Sequence, residues 1–547
     1  MTRARTRFST LLASLVLGAG PPSPAVAASP DLSCSPAELA GTGLSGPARL
    51  LPGMGSYRLA TVSASTEAQR FFDQGVVLAF GFNFAEAIRS FTEAARLDPQ
   101  CALCRWGIAW ARGPSVNHDM TATDAQAAFE ASSLAQSLAP RAAPPERALI
   151  AALAKRYANR ADAPRGPYDD AYADAMRALA RAHPDDADIL TLAAEALMVP
   201  NGRDYWTQDG KMHPWTPEPA ALLERAMKLA PNHPGALHYW IHLHEFGPEP
   251  QKAVAAAERI GALAPGAGHL VHMPAHTFAR VGRYEDAVAA NRRAVQADLD
   301  YLRAAGADPA YASGYIAHNY HFLWWSALMA GDETNGMLAA GVLSAGAAAQ
   351  DFSGPAGATQ QHFRVLPLHT LVRFGKWEAI LAERRPTPAT AYTDGVWHWA
   401  RGMALARQGK SREASIELAA ARKAGRDPAL ARQAFKSTNS LASLLAVANG
   451  MLAAEVAAAS GRFGEAEKLA RAAVKAEDAL QEDEPPAWHA PTRQTLGAVL
   501  LAAGRKPAAA RAFREDLARL PGNGWSTAGL AAAEGRLPAG KFPAGRF

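Results

Sequence analysis

A turn of one fixed spacing recurs along this chain. Gly282-Arg283-Tyr284-Glu285-Asp286-Ala287, Gly409 to Ala414, Gly461 to Ala466 and Gly504 to Ala509 each place alanine five residues after glycine. Gly375-Lys376-Trp377-Glu378-Ala379 is a looser copy, one residue shorter. Glycine after a helix takes the left-handed conformation that closes it, so each copy predicts a stop followed by a new helix. A longer period runs beneath the turns. Ala253 and Ala287 stand 34 residues apart, as do His238 and His272, and His242 and His276. Fixed periods of this length mean stacked supersecondary units, each burying its apolar face on the next. With 547 residues the chain is too long for one hydrophobic core, and its 49% hydrophobic and 20% charged content suits a folded array.

The unit itself is clearest at Gly75, Ala87, Phe91, Ala94 and Pro99. The small residue lets two helices cross closely, the alanine and the bulky residue four later pack, and proline ends the second helix. These residues match positions 8, 20, 24, 27 and 32 of the tetratricopeptide repeat, which the chain resembles over most of residues 67–535. The resemblance implies an all-α, right-handed superhelix of about ten or eleven helix pairs. It also implies a concave groove, lined by the first helices, that holds a peptide, a protein partner or a small anion. Residues 28–66 are expected to form a loose lead and 536–547 a tail, with a capping helix near Trp525 to Ala533. Three stretches depart from the repeat: Val199 to Thr216, Tyr301 to Ile316, and the acidic, proline-rich Gln481 to Trp488. They are expected to be loops or lengthened helices inserted in the array.

The N-terminus is expected to be a secretory signal over residues 1–27. Arg3, Arg5 and Arg7 precede a short apolar stretch, and Ala25-Val26-Ala27 is a small-x-small cleavage pattern. Export, most simply to a bacterial periplasm, is the expected location, and no later segment is apolar for long enough to predict a membrane span. Cleavage removes three arginines and no acid, so Lys+Arg drops from 56 to 53 against Asp+Glu 51. That near-neutral balance gives no reason to expect a nucleic acid partner. In an oxidising compartment Cys101 and Cys104 are expected to close a local disulfide or to sit as buried thiols.

Histidine placement is the unusual feature. In the repeat register, positions 2, 5, 9 and 12 of each first helix form one stripe, by the 3.6-residue period. His238, His242 and Glu245 fall at 5, 9 and 12; His269, His272 and His276 at 2, 5 and 9; His318 and His321 at 2 and 5 of the following unit. Asp188 and Glu195 take positions 2 and 9 one unit earlier, and His362 and His369 fall on the stripe of a later unit. Seven histidines occupy twelve inner positions of three units, where 16 histidines in 547 residues predict fewer than one. Pro274, between His272 and His276, is expected to delay or kink its helix and move His269 off the stripe.

Two readings follow. Imidazoles at i,i+3 and i,i+4 share a helix face, and helices packed 8–10 Å apart can bring rings from two of them together. His238, His242, His272, His276 and His318 are then candidate ligands for zinc, copper or iron. Glu245 would be a ligand, a carboxylate orienting a ligand, or a general base. Alternatively the same stripe, with Glu195, His269 and His321, lines a metal-free groove that binds an anion or peptide, or titrates near neutrality. His118, His183, His213, His233, His244, His398 and His489 fall off the stripe and carry no expected role. The sequence has no His-Glu-x-x-His, phosphate loop or dinucleotide fingerprint, so no reaction is expected from motif alone.

Overall fold

Local chemistry starts and stops the helices where the period asks. Ser65 caps helix α1 (Thr66–Phe80) by accepting from the Ala68 amide, and Asn83 does the same for α2 (Phe84–Leu97) through Glu86. Gly282, Gly375, Gly409, Gly461 and Gly504 all have φ between 66° and 82°, as the turn copies require. The computed structural model describes residues 46–536 apart from 61, 161, 307 and 355. The expected signal segment lies outside the described residues, as do residues 537–547 of the tail and about half of the lead.

The pairs can be followed in order. After α1 and α2 come Ala102–Arg112 with Ala122–Leu138, Pro144–Leu153 with Gly166–Ala182, and Ala187–Met198 with Pro217–Leu229. Next are Pro234–His244 with Val254–Leu263, then a split first helix (Gly268–His272 and Pro274–Arg280) with Tyr284–Ala305, then Ala317–Ala330 with Glu333–Ala348. The array continues with Gly357–Arg364 and Leu366–Arg373 on Trp377–Ala382, then Ala391–Arg407 with Ser411–Ala424. Leu441–Ala459 with Phe463–Asp478 and Thr492–Ala502 with Lys506–Arg519 end it, and Gly524–Ala533 caps it. That is eleven helix pairs of the expected tetratricopeptide type, with one two-residue hairpin at Ala434–Phe435 and Asn439–Ser440. Cys101 and Cys104 are joined by a disulfide at the start of Ala102–Arg112. Leu441–Ala459 is long and apolar enough to span a membrane, but most of it is buried in the array and its Glu455 pairs with Arg407.

The superhelix coils far enough to bring distant units into contact. The Gly266 amide donates to Gly53 O, and the indole of Trp525 donates to Leu328 O across 197 residues. Gly282 and Gly522 pass so closely that a Cβ on Gly522 would lie 2.8 Å from Gly282 O. The inner stripe of the middle units is therefore an interior. His238, His242, His269, His272 and His276 expose at most 3% of their surface. This corrects the expectation of an open groove over these units: the first and last parts of the array close over it.

Candidate metal centre

Six histidines meet in this interior. His238 and His242 stand on Pro234–His244, His269 and His272 on Gly268–His272, His276 on Pro274–Arg280, and His318 on Ala317–Ala330. Pro274 does interrupt hydrogen bonding, but Met273 before it stays helical (φ −50°, ψ −35°). His269 thus keeps its place, contrary to expectation, with its Nε2 3.2 Å from His238 Nε2. The rings divide into two triplets, His238/His242/His269 and His272/His276/His318, whose ligand atoms lie within 4.8 Å of one another.

Hydrogen bonds fix the protons on four of the six. His238 Nδ1 lies 2.6 Å from Phe80 O, and a carbonyl only accepts, so Nδ1 carries hydrogen and Nε2 is a bare lone pair. His242 Nδ1 faces the Glu245 carboxylate at 3.0 Å, and His276 Nδ1 faces Glu484 at 2.6 Å. His272 Nδ1 faces Asn291 Oδ1 at 2.6 Å, while the Asn291 amide nitrogen donates to Ala287 O. Carboxylates and carbonyls behind metal-bound imidazoles do this same work of setting the tautomer. The consequence is sharpest in the second triplet. His272 Nε2 lies 2.9 Å from His276 Nε2 and 3.1 Å from His318 Nε2. Two bare lone pairs at that distance repel unless a cation stands between them.

Electrostatics agree. Burial, reinforced by the neighbouring imidazoles, holds His238, His242, His269, His272 and His318 well below the usual histidine range, so they are neutral. Burial opposes charge on His276 too, but Glu484 and then Glu245 raise it. Burial raises Glu245 against the opposing pull of His276 and Arg203.

Each stretch that broke the repeat sends a residue here. Val199 to Thr216 supplies Arg203, 3.5 Å from Glu245. The second ends in a π-helical turn, Ala312–Ile316, which leads into the helix carrying His318 and sets the Tyr315 ring 5.0 Å from His269. Asp298 anchors that turn, accepting from Tyr311 Oη at 2.9 Å and Asn319 Nδ2 at 2.7 Å. A Cβ on Gly268 would strike the Asp298 carboxylate, which is why glycine opens the helix of His269. Gln481 to Trp488 supplies Glu484. Beyond it lies a cavity of about 560 Å³ lined by Glu484, Arg280, Phe322, Trp325 and Trp488. Phe82, at a left-handed φ of 56°, lays its ring on His242 and His269. That conformation is uncommon in a bulky residue and marks a site that over-determines it.

Other expected residues go elsewhere. Glu195 is buried 3.9 Å from Arg156, and burial pushes its carboxyl up to about 7. It belongs to a separate buried ion pair, because its helix packs one unit away from the triplets. His321 turns from His318 and stacks on Trp324, in a second cluster with His362, His369 and His489. Glu245 touches Nδ1 of His242, behind the ring, where it orients that imidazole, and it also stands with His276 and Glu484 in a third set whose ligand atoms lie within 4.8 Å of one another. Asn291, Glu484, Arg203, Phe82 and the Phe80 carbonyl were not anticipated. Glu484 and Arg203 had a sequence signal, as parts of stretches that break the repeat.

No protein-family profile matches the chain, and no curated protein matches it. Among solved structures it is similar to the Cut9–Hcn1 hetero-tetramer of the APC/C, at 14% identity over 86% of this chain and 77% of that one, with a TM-score of 0.30. It is likewise similar to the human IFIT1 dimer with PPP-AAAA, at 13% identity over 83% and 90%, TM-score 0.31. The P58(IPK) TPR domain aligns at 13% identity over 86% and 98%, TM-score 0.22. The fold is a tetratricopeptide-like superhelix. It stands on the eleven helix pairs themselves, and the superhelix leaves the chemistry to the histidines.

Proposed function

We propose that this chain is an exported metalloprotein whose repeat array encloses a histidine metal centre. One observation carries the reading: His272 and His276, each with Nδ1 tied to an acceptor, aim bare Nε2 atoms at one another from 2.9 Å. Ligands around a tetrahedral ion with bonds of 2.0–2.1 Å stand about 3.3 Å apart. The separations in the triplets, 2.9 to 3.2 Å, are close to that spacing. Neutral imidazoles without a carboxylate among them suit zinc or copper better than the two-histidine, one-carboxylate set of non-haem iron. The leader pattern and the Cys101–Cys104 disulfide support export to an oxidising compartment such as the periplasm.

A peptide, protein or small anion held by these histidines in an open groove has less behind it, because five of the six rings are sealed from solvent. A metal-free alternative is a proton shared between His272 and His276, favoured by the raised His276. Elemental analysis of the purified mature protein tells the two apart. Bound zinc or copper near stoichiometry is expected, with the ion of this triplet lost in His272→Ala/His276→Ala and far-UV circular dichroism unchanged. Absence of metal after chelation and reloading with zinc, copper and iron would overturn the reading in favour of the shared proton.

A further inference from the structure

The six nitrogens cannot serve one ion. At bond lengths of about 2.1 Å, two ligands on one ion stand at most about 4.2 Å apart. Here the ligand atoms separate into two sets of three, each within 4.8 Å, and do not form one set of six. The sets are nonetheless adjacent. His269 and His272 lie three residues apart on one helix with ring centroids 5.9 Å apart, and each belongs to a different triplet. Glu245 Oε2 stands behind both, 3.0 Å from His242 Nδ1 and 3.8 Å from His276 Nδ1.

We infer that the centre is dinuclear: one transition-metal ion in His272/His276/His318 and a second in His238/His242/His269. This rests on the metal reading above and adds the second ion and its seat. The first triplet has its own evidence of a ligand. His242 Nε2 is buried with no protein partner among the described residues, although His242 Nδ1 is held by Glu245. A buried imidazole nitrogen without a partner forfeits a hydrogen bond to water, and a metal ion would restore the loss. Three imidazoles leave a zinc or copper ion one position short of four-coordination. Imidazole ligands bring no negative charge, and the two carboxylates behind the rings, Glu245 and Glu484, would offset part of the ions' charge.

Stoichiometry tests this directly. Chelated full-length mature protein is loaded with zinc chloride, and in parallel with copper sulfate, desalted, and assayed for metal per chain. Two equivalents are expected in the wild type. One is expected in His238→Asn/His242→Asn, which spares the second triplet, and one in His276→Asn/His318→Asn, which spares the first. One equivalent in the wild type overturns the dinuclear inference and leaves the single metal centre standing; none overturns both. Should a variant fail to fold, copper electron paramagnetic resonance on the wild type decides. Two ions at this range couple magnetically on full loading, and an isolated-ion signal that persists at saturation would end the inference.

Discussion

Two groups of buried histidines occupy this array, and they do opposite things with the same side chain. In the six-histidine centre, four rings are pinned through Nδ1 by Phe80 O, Glu245, Asn291 and Glu484, and their Nε2 atoms converge. In the second group, His321, His362, His369 and His489 pack among Trp324, Trp399, Trp488 and Phe435. Among the described residues only His362 has a hydrogen-bond partner there, the Tyr392 hydroxyl at 2.7 Å. Both nitrogens of His321, His369 and His489 lack a hydrogen-bond partner among the described residues, and these atoms form no metal-sized set. Burial and inner-stripe register are therefore not what makes a histidine a ligand. The two groups differ instead in the polar atom behind the ring, present for four of the six histidines of the first group.

The largest effect expected from this difference is on metal content. His276→Ala should abolish tight binding in its triplet, whereas His369→Leu/His489→Phe should leave metal content at the wild-type level. Elemental analysis of the two proteins side by side checks it, and equal loss in both would erase the distinction. Next in size is the atom behind the ring. Asn291→Ala removes no ligand but frees the His272 tautomer, and such partners are worth 10–100-fold in affinity. Competition with a chromophoric zinc chelator should show a weakening of that order. An unchanged affinity would mean that Asn291 only fills space.

How much of this the sequence discloses depends on the range of the contact. The 34-residue period carried the helix pairs, the turn glycines and five first-helix histidines to their common interior, because each is set within one or two units. It could not show that the groove is closed. Closure comes from contacts such as Gly53 with Gly266 and Trp525 with Leu328, which depend on the superhelical pitch summed over many units. His321 lies apart from His318 for a related reason. The π-helical turn at Ala312–Ile316 adds a residue to the helical turn, which rotates the stripe and leaves His318 facing in while His321 faces the next unit. Glu484 was visible only as a break in the period, 208 residues from His276. The three breaks in the repeat proved as informative as the repeat, since each sends a residue to the centre.

A pH series sharpens the same comparison. Burial first, with nearby positive charge, depresses His321, His369 and His489 well below the ordinary value, and His362 to about 3. The unfolded chain takes up protons near pH 6.5 and the folded chain does not, so these residues remove stability as pH falls below about 6.5. Each contributes roughly 1.4 kcal/mol per pH unit inside that window. His276 has the opposite sign: its raised folded value gives stability at low pH that is lost as pH rises through it. Urea unfolding of chelated protein at pH 7.5 and 5.5 should show a fall of several kcal/mol. His369→Leu/His489→Phe should shrink that fall by about the share of two groups, and an undiminished fall would show that other residues dominate acid sensitivity.

The smallest effect expected is the most diagnostic of the second group. His369 is fully buried with both nitrogens unpartnered, between Trp399 and His489. Replacing a buried polar group that makes no hydrogen bond with an apolar one of similar size is nearly neutral or stabilising. His369→Leu should therefore raise stability at pH 7.5 by up to about 1 kcal/mol, read as a higher urea midpoint at unchanged slope. A loss of 2 kcal/mol or more would show that these nitrogens hold a partner after all. In that case the second group would resemble the first, and the contrast between the two would fail.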